Sequence, residues 1–319
     1  MAPSVINEVP SAVIPAVKLA GKAKEEAMTA LRAISQGEVM PDIPTFPTFA
    51  AERRHILVHM AATFRNWARN NYSEGQSGHI SVRDPEFPGL MWMNTMGRHY
   101  GMLRAGDMVA LDIATGAIVA GRPNPSTGRV TSNAAGYYIH SAVHQHRPDV
   151  HAVCHCHTAG GRAWSVFARP LDMLTQDVCN FYGVHAVYKK YGGIVFAADE
   201  ARNIAAALGE KNKGLILMNH GLLTVGSTVD EAGYMFGLLE RSCAIQLQVE
   251  AARAGNPGLK KNIISDEEAA HAFKMASEKN ALYREFQPDV ELEIEAAGGE
   301  EALAKGFEEL VINMDAPIA

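Results

Sequence analysis

Residues 151–157 read His-Ala-Val-Cys-His-Cys-His, and that alternation constrains the fold more than any other part of the chain. The composition is that of a β-strand, and side chains of a strand point to opposite faces in turn. His155 and His157 therefore project to one face, and Cys154 and Cys156 to the other. Two imidazoles converge without any loop. Neutral imidazole is the commonest protein ligand for zinc and its neighbours, and a catalytic centre needs three protein ligands plus an open position. His220 is the best third ligand: it follows the apolar run 214–218 and precedes Gly221, where a strand end points a side chain into a cleft. The competing reading of the pair is two buried histidines, hydrogen-bonded within a core.

The rest of the chain organises around that strand. Residues 1–48 pair an Ala/Lys/Glu-rich helical stretch, 17–34, with Pro41, Pro44 and Pro47, which cannot lie in one continuous helix. They read as an arm outside the core. From Phe49, apolar residues recur at Ile56, Met60, Phe64 and Trp67, a helical stripe ending before the turn-rich segment 70–79. Strand-like runs follow at 79–82, 90–93 and 108–111, separated by Gly, Pro and Asp turns, so the sheet is expected to be rich in antiparallel pairs. Helices are expected at 134–146, 198–208 and 229–252, with a strand at 214–218 and two charged amphipathic helices after Asp266. Arg147-Pro148-Asp149 is the turn before the histidine strand. The domain reading is an arm over 1–48, a metal-binding domain over 49–255 and a helical extension over 256–319.

Composition removes several function classes. A hydrophobic content of 47% over 319 residues fills a core, and a net charge of -6 provides no basic stripe for nucleic acid. The first residues hold early prolines and no apolar core of a signal peptide, and no span of about 20 apolar residues occurs. Four cysteines, Cys154, Cys156, Cys179 and Cys243, make no disulfide framework and suit a reducing, cytoplasmic setting. Cys154 and Cys156, one residue apart, match neither redox nor zinc-knuckle spacing. No phosphate-binding glycine motif follows a strand, which excludes a nucleotide cofactor.

Three segments, 147–158 (RPDVHAVCHCHT), 77–84 (SGHISVRD) and 215–232 (LILMNHGLLTVGSTVDEA), together resemble the class II aldolase and adducin head-domain family in order and spacing. The resemblance spans 49–252, about two thirds of the chain. It implies an α/β fold, a single α/β/α domain whose central, mainly antiparallel sheet is flanked by helices. It also implies a homotetramer with active sites at subunit boundaries, and one divalent metal per subunit on His155, His157 and His220, zinc first, with manganese or iron as alternatives.

Two stations depart from that pattern. Aldolases of the family resemble one another in a glutamate about twenty residues before the His-x-His pair; here the position falls on or beside Gly136, which cannot move a proton. His140, Tyr137 and Asp177 are the replacement candidates, in that order, against the alternatives that His140 packs on a helix and Tyr137 is core. The phosphate stations read Gly78-His79, Met96-Gly97 and Ala134-Ala135, so most donors for phosphate oxygens are missing. His79, Asn94, His99 and Asn133 offer polar contacts instead, and Trp92 and Met96 either line the pocket or fill core.

The expected function is therefore a divalent-metal-dependent lyase on a small, non-phosphorylated carbonyl or carboxylate substrate, acting by retro-aldol cleavage or decarboxylation through an enolate that the metal stabilises. The absent glutamate favours decarboxylation, which needs no base to start it. A non-haem iron oxygenase on the same three histidines is the second reading. A third is an adducin-like scaffold without chemistry, against which the retention of all three histidines speaks.

Overall fold

The computed structural model describes residues 41–193 and 198–318. The helical stretch expected at 17–34 lies outside the described residues.

Helix α1, Phe49–Arg69, starts where Thr48 Oγ1 accepts the amide of Ala51 at 3.2 Å, with Glu52 in its first turn favouring the positive end of the helix. Its apolar stripe is the expected one: Met60, Phe64 and Trp67 are buried. Trp67 packs at 4.6 Å between ring centroids on Phe236 and touches Phe64 and Tyr100. Each such buried ring contributes roughly 1.5–3 kcal/mol through lost water contact.

Among the described residues eight strands form one sheet: β1 Gly78–Arg83, β2 Leu90–Asn94, β3 Met108–Asp112, β4 Ile118–Ala120, β5 Ala152–Cys156, β6 His185–Tyr188, β7 Gly214–Leu217 and β8 Gly221–Gly226. Their order is β4-β3-β2-β1-β5-β8-β7-β6. All pairs are antiparallel except β6 with β7, in keeping with the expected antiparallel-rich sheet. The histidine strand β5 thus lies in mid-sheet between β1 and β8.

Helices cover both faces, giving three layers. On one face lie α1, α3 (Ala159–Ser165), α5 (Val229–Gly255), α6 (Asp266–Ala276), α7 (Lys279–Ala296) and α8 (Glu300–Ala304). On the other lie α2 (Ala134–His146) and α4 (Ala198–Leu208). The alternation of β5 decides which residue meets which layer: Ala152, Cys154 and Cys156 enter the α1/α5 core, and Val153 enters the α2/α4 core. All four cysteines are free and buried. Ala269, Leu282, Phe286, Val290 and Leu303 join the α1/α5 core, so the helices after residue 255 are packed into the main core rather than onto its outside. Three helices, not two, follow Asp266, and β4, β6, β8 and α3 were not expected. Among the described residues, no helix is long and apolar enough to cross a membrane.

Candidate metal centre

The three histidines meet at one end of the central strands. His155 is the fourth residue of β5, His157 follows its end, and His220 lies in the turn joining β7 to β8. Their ring centroids are 4.7 to 5.2 Å apart, and one ring nitrogen from each lies within 4.8 Å of the others. The segment Asn219-His220-Gly221 makes this convergence possible. Asn219 adopts a left-handed φ of 56°, which asparagine tolerates better than most residues, and the His220 amide closes the turn on the Leu217 carbonyl at 3.0 Å. A Cβ on Gly221 would stand 2.7 Å from the Cys156 carbonyl oxygen, so only glycine lets the start of β8 lie against the end of β5.

The donor set fits a divalent cation. His155 Nδ1 donates to the Leu222 carbonyl at 2.9 Å, which leaves its Nε2 with a lone pair. Burial holds all three imidazoles below their ordinary pKa, His220 at about 4 and His155 well below 6.5, so each is neutral and able to ligate. The neighbouring charge on Arg162 adds to the effect at His157. The loop after His157 is held by a buried carboxylate: Glu240 on α5 accepts from Thr158 Oγ1, from Gly160 N at 2.7 Å and from Gly161 N at 2.6 Å.

A chain of hydrogen bonds runs from this centre into the protein. His79 on β1 is the register partner of His155, and their rings stack at 5.2 Å. His79 Nδ1 lies 3.3 Å from His140 Nε2, His140 Nδ1 lies 2.7 Å from Ser81 Oγ, and Ser81 Oγ lies 2.8 Å from His144 Nε2. His144 Nδ1 ends the chain 3.3 Å from the Val150 carbonyl. That carbonyl only accepts, so His144 carries its proton on Nδ1, and its Nε2 accepts a hydrogen bond from the Ser81 hydroxyl. His140 then donates from Nδ1 to Ser81, and His79 donates from Nδ1 to His140. Burial keeps the three rings neutral, pushing His79 and His144 down to about 3 and His140 well below 6.5. The chain thus assigns His79 the tautomer with a free lone pair on Nε2.

A cavity of about 400 Å³ opens above the centre, lined by His79, Asn133, His155, His157, His220 and Arg162, with Ser77, Ile139, Tyr191 and Asn219 around them. Of the expected residues, the structure brings His79, Asn133 and the three ligand candidates together. Asn133 caps α2, its Oδ1 accepting the Gly136 amide at 2.9 Å. Asn94 lies in an adjoining cleft that shares Asn133, and its buried Oδ1 has no hydrogen-bond partner among the described residues. His99 is exposed and accepts the Gly101 amide, away from the cavity.

The acid/base candidates fare differently. His140 is fully buried and reaches the cavity only through His79. Tyr137 points away: its hydroxyl donates to the Ile113 carbonyl at 3.2 Å and its ring packs beside Gly116, a packing role. Asp177 opens a 3-10 turn, exposed, with Tyr234 and Glu285 as its electrostatic neighbours and no share in the cavity lining. Trp92 is fully buried and donates to Asp84 at 2.7 Å, so it is core. Sequence reasoning missed Arg162, Tyr191 and Asn219. Asn219 was signalled by its place beside His220, and Arg162 by its place one helical turn after Thr158; Tyr191 carries no such signal.

Residues 58–247 match the Class II Aldolase and Adducin N-terminal domain. The chain belongs to this family. It is 39% identical over 67% of its length to the 4-hydroxy-3-prenylphenylpyruvate oxygenase/4-hydroxy-3-prenylbenzoate synthase of Streptomyces roseochromogenus subsp. oscitans, of which 75% is covered. It is also 39% identical to Decarboxylase NovR of Streptomyces niveus, over 66% of this chain and 75% of that one. Among solved structures, the L-fuculose 1-phosphate aldolase from Glaciozyma antarctica PI12 is 34% identical with a TM-score of 0.72, covering 80% of this chain and 95% of that one. The class II aldolase fold expected from the three motifs is therefore the fold of this chain.

Proposed function

We propose that this protein is a divalent-metal-dependent carbon–carbon lyase acting on a small, non-phosphorylated carbonyl or carboxylate substrate. The observation that carries the reading is the convergence of His155, His157 and His220 in a cavity that also presents the His79 lone pair and the Arg162 guanidinium. The three imidazoles would hold one cation per subunit, zinc first. A cation there supplies a Lewis acid for a substrate carbonyl oxygen.

The chain's own residues account for the remaining steps. Arg162 lines the cavity and is exposed, so its guanidinium, now paired with Glu74 at 2.6 Å, can turn to a substrate carboxylate. Asn133 offers its amide beside it. In retro-aldol cleavage the substrate hydroxyl donates its hydrogen bond to His79 Nε2, which orients it for proton loss, while Nδ1 keeps the proton shared with His140. In decarboxylation no base is needed to start, and the same ring orients the substrate by accepting its hydroxyl. His79 is thus the residue that takes over from the glutamate absent at position 136. Subunits assemble as a cytoplasmic homotetramer in this reading, with residues 49–255 as the catalytic unit.

The name of the Streptomyces roseochromogenus relative favours a second reading, an iron-dependent oxygenase on the same three histidines. Metal analysis of protein purified without chelator, for wild type and His157→Ala, followed by turnover with and without oxygen, separates them. Zinc or manganese lost in the variant and oxygen-independent release of CO2 or an aldehyde support the lyase. Iron and an absolute need for oxygen support the oxygenase, and protein that holds no metal at this centre returns the scaffold reading.

A further inference from the structure

The other end of β1, β5 and β8 carries a second cavity, of about 270 Å³, whose polar floor takes no part in the chemistry above. Ile43, Phe46, Ile56 and Tyr283 wall it. His55 and His59 are four residues apart on α1, hence on one face of the helix, and Asp230 lies in the first turn of α5. One donor atom from each of the three lies within 4.8 Å of the others. We propose that His55, His59 and Asp230 form a second divalent-metal site, independent of the His155 centre and suited to zinc.

A buried histidine–aspartate pair alone does not account for the arrangement. His59 Nδ1 meets Asp230 Oδ1 at 2.6 Å, and Gln287 Nε2 donates to the same oxygen at 3.0 Å, which among the described residues leaves Oδ2 without a hydrogen bond. Among the described residues no hydrogen bond reaches the His55 ring, yet it lies 3.8 Å from the His59 ring, centroid to centroid. Two imidazoles in such contact repel when both are protonated, so the pair favours a state in which at least one ring keeps a free lone pair. His55, His59 and Asp230 thus bring two imidazoles and one carboxylate together at the cavity that His55 and Asp230 line.

Zinc accepts that mixture of imidazole and carboxylate at bonds of about 2.0–2.2 Å, and other first-row cations accept it as well. Bonds of that length bring the donors nearer one another than 4.8 Å, so binding would draw the three side chains together. The bound ion would tie the first half of α1 to the start of α5. That clasp lies beside segment 41–48, which is already held by the Asp42–Arg284 ion pair and by the Ile43 amide on Asn280 Oδ1 at 3.2 Å.

The test is zinc stoichiometry of the full-length protein, loaded with zinc and freed of excess by gel filtration, for wild type, His55→Gln, Asp230→Asn and His157→Ala. Asp230→Asn keeps the shape and hydrogen-bonding capacity of the side chain, so it guards against a loss that reflects unfolding, and circular dichroism checks both variants. The expected result is two zinc ions per chain in wild type and one in each single variant. With cobalt in place of zinc, the His157→Ala protein should retain a visible absorption band that His55→Gln, added to it, removes. If folded His55→Gln and Asp230→Asn hold as much zinc as wild type, the second site does not exist. Loss of metal in His157→Ala alone would overturn this inference and leave the first centre standing.

Discussion

The ring of His79 occupies the volume that a side chain on Gly136 would need. A Cβ built on Gly136 would stand 2.7 Å from Cγ and Cδ2 of His79, closer than carbon atoms approach. The two positions are complementary: the aldolase-like glutamate is missing on α2, and an imidazole from β1 fills its place. Gly136→Ala should therefore displace His79, destabilising the fold by about 1–3 kcal/mol as overpacked cores do, and lowering turnover along with it. Urea unfolding measures the first effect. In Gly136→Ala/His79→Ala the ring is gone, so the added methyl should cost nothing further over His79→Ala; a full additive loss would show that the two positions do not touch.

Much of this was legible in the sequence, for identifiable reasons. The His155/His157 pair could be read because a strand's period of two is fixed by backbone geometry, and His220 because it stands at the end of an apolar strand, just before Gly221. The long helices were legible because their apolar stripes repeat over several turns, as in α1 and α5. Strand β4 was not, being three residues long, nor was α3, whose start depends on a carboxylate eighty residues away on α5. Tyr137 and Asp177 were misplaced because sequence distance from the histidines says nothing about the face of a helix or the layer of the fold. The His79–His140–Ser81–His144 chain was invisible as a unit, since it joins two elements sixty residues apart.

Ser81 is the one hydroxyl in that chain, donating to His144 and accepting from His140. Ser81→Ala should leave both imidazoles without their buried partner, at a cost of about 1–3 kcal/mol. Catalysis should fall as well, because the tautomer of His79 is no longer fixed. The discriminating measurement is the pH profile of kcat: a purely structural role lowers stability without moving it, whereas loss of the relay shifts its acid limb.

Stability should fall steeply in acid. His79 and His144 have folded-state pKa values near 3 and His140 lies well below 6.5, whereas in the unfolded chain each titrates at about 6.5. Below pH 6.5 the unfolded chain takes up protons that the folded one refuses, so stability is complete above that value and is lost as pH falls towards 3. Each group contributes a slope of up to about 1.4 kcal/mol per pH unit, and the three together about 4. Against a typical total of about 5–15 kcal/mol, cooperative acid unfolding is expected well before pH 3. Urea midpoints at pH 7, 6 and 5 test this, and a midpoint that stays flat across them would show that the rings are protonated in the fold.

Glu240 governs where His157 sits without touching it. Its carboxylate takes the Thr158 hydroxyl and the Gly160 and Gly161 amides, all within four residues of His157, and so fixes the start of α3 against α5. In Glu240→Gln one oxygen becomes an NH2 group that cannot accept from these donors, leaving at least one buried donor unpaired at about 1–3 kcal/mol. Partners that orient a metal-ligating histidine are worth about 10–100-fold in affinity, so zinc binding at the His155 centre should weaken by a factor in that range. Competition against a chromophoric chelator reads that factor, and urea unfolding of the metal-free protein reads the stability change separately. Weaker zinc binding that exceeds the stability loss would identify Glu240 as a residue that positions His157; unchanged binding in a destabilised protein would confine it to capping α3.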